Sequence, residues 1–199
     1  MLLYDSRVSG NCYKVRLLLA HLGLAYERRE VDVVDRSARH ALLGELNPGL
    51  RVPTVVLDDG RALGESDAIL FYFAAGTAYL PDEAFARAQV LQWMFFEQYS
   101  HEPNIAVLRF WALHPDAATP ADADVRARRA GGAAALEALE RHLDAREFLV
   151  ADAYTIADIA LYAYTHVADE AGFELSRYPR VRDWLACVAA QPGYVPIDA

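Results

Sequence analysis

The chain has 199 residues, 54% of them hydrophobic and 24% charged, enough to bury a core in one large domain or two small ones and too apolar for a disordered polymer. A formal net charge of −9 argues against nucleic-acid phosphates and anionic lipid as partners, although all of the 19 basic residues except Lys14 are arginine. Two cysteines (Cys12 and Cys187) are too few for a disulfide framework and lack metal-ligand spacing; with no basic leader before "MLLYDS" and no apolar run of membrane-spanning length, a metal-free cytoplasmic protein is expected.

The first part of the chain alternates in type. "MLLYDS" predicts a strand; "NCYKVRLLLAHLGL" predicts a helix that buries Val15, Leu18, Leu19 and Leu22 on one face and stops at Gly23. "YERREVDV" alternates like a strand, and "RSARHALLGEL" predicts a short helix ended by "NPG". "PTVVL" and "RAL" predict two strands joined through Asp58, Asp59 and Gly60, and "SDAILFYFAAG" a helix capped by Ser66 and ended by Gly76. The order βαβ–α–ββα thus occupies residues 1–76, and a composition shift over 77–83 marks a linker.

From residue 84 to 199 the signals are helical. A long aromatic helix kinked at Pro103 comes first, then an amphipathic one within "ADADVRARRAGGAAALEALERHLDA". "YTIADIALYAYTHVADEAG" predicts a third, opened by Thr155 and Asp158 at capping-box spacing. The last is entered through Pro179 and closed near Pro192.

Three features taken together resemble the cytosolic glutathione transferase superfamily: "VSGNCYKV" opening the first helix, "NPGLRVPTVV" before the hairpin, and "GESDAIL" just after it. The resemblance covers essentially the whole chain, and the serine and asparagine of the first motif are similar to those of bacterial members. It implies a thioredoxin-like α/β domain that binds glutathione, an all-α domain with a second-substrate pocket, and a two-fold dimer.

The resemblance also assigns roles. Val52-Pro53 would carry a cis bond whose outward-facing backbone pairs with the cysteinyl part of glutathione like an added strand; a proline before a strand is otherwise an edge or turn device. Glu65 and Ser66 open a helix, where N–H groups and the dipole receive an anion. Ser66 would hold the γ-glutamyl carboxylate and Glu65 the ammonium, a use compatible with an ordinary helix start. Arg51 is expected on the glycyl carboxylate, with Arg39 and His40 as further candidates.

The frame that reads C-x-x-C in glutaredoxin-type relatives reads Ser9-Gly10-Asn11-Cys12 here, so it offers no protein dithiol cycle. Cys12 reads as a small buried hydrophobe. Ser9 and Asn11 are candidate donors to the glutathione thiolate, or simple caps of the first helix; Tyr4 and Tyr13 do not suit a tyrosine-type mechanism. The second substrate, an electrophile or a disulfide, would meet the thiolate beside Tyr99 and Ser100 of the long helix, while His101 and Glu102 are expected on the surface. The implied activity is glutathione-dependent conjugation or disulfide reduction; the alternative is a catalytically silent dimeric scaffold.

Overall fold

The computed structural model describes residues 1–117 and 119–199. Residues 1–75 with 192–199 form one compact unit, and residues 76–191 a second.

In the first unit β1 (Leu2–Asp5) pairs parallel with β2 (Glu27–Glu30) and antiparallel with β3 (Thr54–Val56), which pairs antiparallel with β4 (Ala62–Gly64). The sheet order is β2-β1-β3-β4. A parallel neighbour needs a crossover, and α1 (Gly10–His21) supplies it. The hairpin between β3 and β4 turns through Gly60 at φ +84°, a conformation that glycine adopts without steric cost. Side chains alternate along β1: Leu3 joins Val15, Leu19, Val55 and Ile69, while Tyr4 joins Val31 and Leu43. All four residues of β2 are exposed and charged, which suits an edge strand that must not pair with other chains.

Two features depart from the periodicity. From Cys12 to Leu19 α1 is buried on every side, where the spacing predicts one apolar face. Residues 192–199 account for this: Tyr13 Oη donates to Val195 O at 2.7 Å, Arg16 Nη2 to Ile197 O at 2.6 Å, and His21 Nδ1 lies 2.8 Å from Pro192 O. The final residues therefore belong with the first unit rather than with the helices. Next, α3 (Ser66–Ala74) starts at Ser66, so the cap position is Glu65 and Ser66 makes no capping bond. The short α2 (Arg39–Leu43) lies between β2 and β3.

The second unit holds α4 (Ala84–Phe96), α5 (Glu102–Leu113), α6 (Asp122–His142), α7 (Ile156–Thr165) and α8 (Pro179–Ala189). Its packing begins before the expected boundary: Leu80 is buried, and Tyr79 O accepts from Ile156 N at 2.9 Å, so 77–83 is packed chain rather than linker. A π-helical turn (Glu97–His101) precedes Pro103, and the proline sits in the first turn of α5, where its missing N–H costs nothing. After Ala84, the first residue of α4, the exposed positions on α4 and this turn fall at 85, 88, 92, 95 and 99, the three-and-four spacing of one helical seam. Phe85 and Phe95 are each 69% exposed on it and Tyr99 is 88% exposed. In α6 a side chain at Gly132 would meet Phe173 at 2.4 Å, so the glycine there serves close packing. Every residue of α7 is buried.

Candidate functional site

At the start of α1 Ser9 is the N-cap: its Oγ accepts from Cys12 N at 3.3 Å and its carbonyl from Tyr13 N at 2.9 Å. Capping uses the oxygen of Ser9 and leaves its hydroxyl proton for donation, so the two readings of Ser9 coexist. Cys12 is fully buried, with Ser6 N donating to its Sγ at 3.3 Å. Burial pushes its thiol pKa up and the charge of Asp5 adds to this, against weaker pulls from the Ser9 and Ser6 hydrogen bonds. This surrounding favours the neutral thiol of Cys12 over its thiolate.

At the entry to β3 the Val52-Pro53 peptide is cis, as the resemblance implies. The loop before it is held by Asn47, a buried residue to which the sequence analysis assigned no part beyond ending a helix. Asn47 Nδ2 donates to Arg51 O at 3.1 Å and to Thr54 Oγ1 at 2.9 Å, and its Oδ1 accepts from Gly49 N at 2.9 Å. A side chain at Gly64 would meet Asn47 Nδ2 at 2.5 Å, so this glycine makes room for the clamp.

Arg39 is buried, with its guanidinium donating to the carbonyls of Leu50, Asp32 and Val33 at 3.3, 3.4 and 3.3 Å. It ties two loop segments together. His40 and Arg51 are exposed. Burial pulls the Arg39 pKa down, and the charges of Arg36 and Arg51 pull the same way, which marks three guanidinium groups around one loop.

The start of α3 brings the separate motifs together. Glu65 has φ +72° and ψ +115°, a backbone that a non-glycine residue holds only under strain. Ser66, buried, donates from Oγ toward Asn11 Oδ1 at 3.4 Å and toward Glu65 Oε1 at 3.5 Å. Behind it lies Lys14, fully buried, whose Nζ donates to Ser66 Oγ at 3.3 Å and to Asp67 Oδ1 at 3.1 Å. Lys14 and Asp67 were not among the expected site residues; the signal available was that the chain's only lysine falls in the first helix.

In the second unit Tyr99 and Ser100 border a cavity of about 320 Å³ with Phe96, Asn104 and Gly131. Ser100 O accepts from Asn104 Nδ2 at 2.7 Å. His101, expected on the surface, is fully buried, and its Nε2 lies 2.8 Å from Thr165 Oγ1. Thr165 donates its one hydroxyl proton to Leu161 O at 2.7 Å, so His101 Nε2 carries the proton of that contact. Among the described residues no group of three or more His, Cys, Asp or Glu side chains is arranged to hold a metal ion, and no helix is long and apolar enough to cross a membrane.

A four-stranded mixed sheet with a crossover helix, a cis proline at the entry to a strand and a helix start facing another helix start define a thioredoxin-like domain, here followed by a helical one. Comparison with known proteins agrees. The glutathione S-transferase N-terminal domain family matches residues 8–75 and the glutathione S-transferase C-terminal domain family residues 107–187. Glutathione S-transferase 3 of Zea mays is 31% identical over 96% of this chain and 90% of its own length. The crystal structure of a glutathione S-transferase from Pseudomonas fluorescens is 45% identical, covers 98% of both chains and superposes with a TM-score of 0.94. Ure2p in complex with glutathione, at 24% identity, shares the fold, with a TM-score of 0.84 over 96% of this chain and 90% of its own. The chain spans 65% of one curated relative's length and 90% of another's. The chain belongs to the cytosolic glutathione transferase superfamily.

Proposed function

We propose that this protein binds glutathione on its first unit and lowers the pKa of the bound thiol, directing the thiolate at an electrophilic carbon. The observation that carries the reading is the Ser66–Asn11 contact, which joins the start of α3 to the start of α1. In this reading Ser66 and the α3 N-terminus receive the γ-glutamyl carboxylate and Glu65 the ammonium. The backbone of Val52, in the loop clamped by Asn47, takes the cysteinyl part, and exposed Arg51 the glycyl carboxylate. Arg39 acts indirectly, by holding that loop; His40, exposed, is a secondary candidate for the same carboxylate.

A free cysteine thiol with a pKa of about 8.5 is only about 3% ionised at neutral pH. Lowering it by about two units takes about 2.7 kcal/mol of preference for the anion. Two charge-assisted hydrogen bonds, from Ser9 Oγ–H and the Asn11 amide, together with the positive end of α1, supply that much.

The test is the ultraviolet thiolate band of glutathione added to the protein as pH is varied. A saturable band persisting to about pH 6 is expected, and in Ser9→Ala it should move up by about one pH unit with little change in affinity. An unchanged pH profile in that variant would remove the role given to Ser9. Disulfide reduction by bound glutathione is the outcome if turnover appears only with disulfide substrates.

The second substrate is assigned to the cavity edged by Tyr99 and Ser100, and the seam carrying Phe85, Phe95 and Tyr99 to a homodimer contact. Tyr99→Ala separates the two uses of this residue. A raised KM for the electrophile in an intact dimer supports the pocket, and a monomer with unchanged KM reassigns Tyr99 to the seam. The likeness to Ure2p favours a second reading, a binding protein without turnover; glutathione binding with no thiolate band and no activity on an electrophile panel would establish it.

A further inference from the structure

Nothing in the γ-glutamyl role given to Ser66 requires a lysine, yet the only lysine of the chain is buried directly behind it. An ammonium has three protons to give and no lone pair to offer, so in the 3.3 Å contact Ser66 Oγ can only accept. That leaves the serine one proton of its own, which must point away from Lys14. The acceptors on that side, Asn11 Oδ1 at 3.4 Å and Glu65 Oε1 at 3.5 Å, both lie well beyond the usual 2.7–2.8 Å of an O–H···O bond. The hydroxyl is thus aimed by a cation behind it and only loosely engaged in front. Asp67, in the first turn of α3, accepts from the same ammonium at 3.1 Å and fixes it in place.

We propose that Lys14 is a positioning residue for a ligand carboxylate: held by Asp67, it forces the Ser66 proton outward at the start of α3, so that this subsite discriminates ligands by their free α-carboxylate. The proposal rests on the glutathione reading given above. When a carboxylate arrives, the Ser66 proton turns from Asn11 to the anion at ordinary hydrogen-bond length.

The experiment is a comparison of two ligands on four proteins by calorimetric titration. The ligands are glutathione and 4-aminobutanoyl-cysteinylglycine, which is glutathione with the α-carboxylate replaced by hydrogen. The proteins are the wild type, Lys14→Met, Ser66→Ala and the two substitutions combined. Wild type should prefer glutathione, and Lys14→Met should weaken glutathione by about 10- to 100-fold while leaving the analogue within about twofold. The double variant should lose little more than Ser66→Ala alone, because the lysine acts through the serine. Equal weakening of both ligands in Lys14→Met would overturn the proposal and make Lys14 a pin between α1 and α3. Equal wild-type affinity for both ligands would overturn it too, with the glutathione reading intact, whereas failure of the wild type to bind either would remove both. If Lys14→Met does not fold, Lys14→Gln, which keeps a donor and removes the charge, should show the same carboxylate-selective loss in smaller degree.

Discussion

Two helix starts in this molecule use similar residues to opposite ends. At the start of α7 Asp158 is fully buried and accepts from Leu149 N at 3.0 Å, Thr155 N at 2.9 Å, Thr155 Oγ1 at 3.1 Å and Trp184 Nε1 at 3.0 Å. Thr155 Oγ1 in turn accepts from Ala157 N at 3.3 Å, completing a capping box. At the start of α3 Ser66 caps nothing, its outward contacts are long, Glu65 holds a strained backbone, and a buried cation sits behind. The first start is closed by its own protein; the second leaves its outward donor loosely engaged, and the proposed glutathione site takes it up. Sequence alone makes them look alike, since both are a hydroxyl residue followed shortly by an aspartate.

If that contrast is right, removing the polar side chains should have opposite consequences at the two ends. Asp158→Ala leaves several buried donors without an acceptor and should lower unfolding stability by about 4 kcal/mol in urea titrations. Ser66→Ala should change stability by no more than about 1 kcal/mol while raising the Kd for glutathione about tenfold or more. Comparable stability losses in the two variants would erase the distinction.

A pH series tests the same box from another side. Burial pushes the Asp158 pKa up to about 6, with its four hydrogen bonds pulling the other way. The folded state then holds this proton more tightly than the unfolded chain, where an aspartate titrates near about 4. The contribution is most favourable below that lower value and is lost as pH rises through about 6. Wild type should therefore lose stability relative to Asp158→Asn between about pH 4 and pH 7, as read from urea midpoints; a constant difference would mean that folding leaves the proton affinity of Asp158 unchanged over that range.

The smallest effect is expected at Glu65. Glycine tolerates a φ of +72°, so Glu65→Gly should stabilise the protein by about 1 kcal/mol and weaken glutathione binding. A destabilised variant would show that the Glu65 side chain contributes more to folding than its backbone strain costs.

Much of this was legible in the chain. The strand and helix order, the turn at Gly60, the capping box of Thr155 and Asp158 and the Pro179 entry to α8 all depend on neighbours within a few residues, where periodicity and caps are decisive. The candidate site residues Ser9, Asn11, Val52 and Ser66 stood out through the short motifs that carry the resemblance. What was not legible follows from long-range packing. Lys14 meets Ser66 across 52 positions, His101 meets Thr165 across 64, and Arg16 meets Ile197 across 181. Arg39, a candidate for the glycyl carboxylate from the sequence, is buried and tied to three loop carbonyls.

By itself, then, the sequence determined the order of elements and the positions of the polar motifs, because local propensity and short-range capping act before the chain has any tertiary shape, and those motifs in turn carried the resemblance to the family. Only the tertiary structure decided which charges lie inside and which polar groups are left incompletely engaged. Those outcomes depend on desolvation and on which distant partner arrives at hydrogen-bond distance, and neither is written in the spacing of residues along the chain.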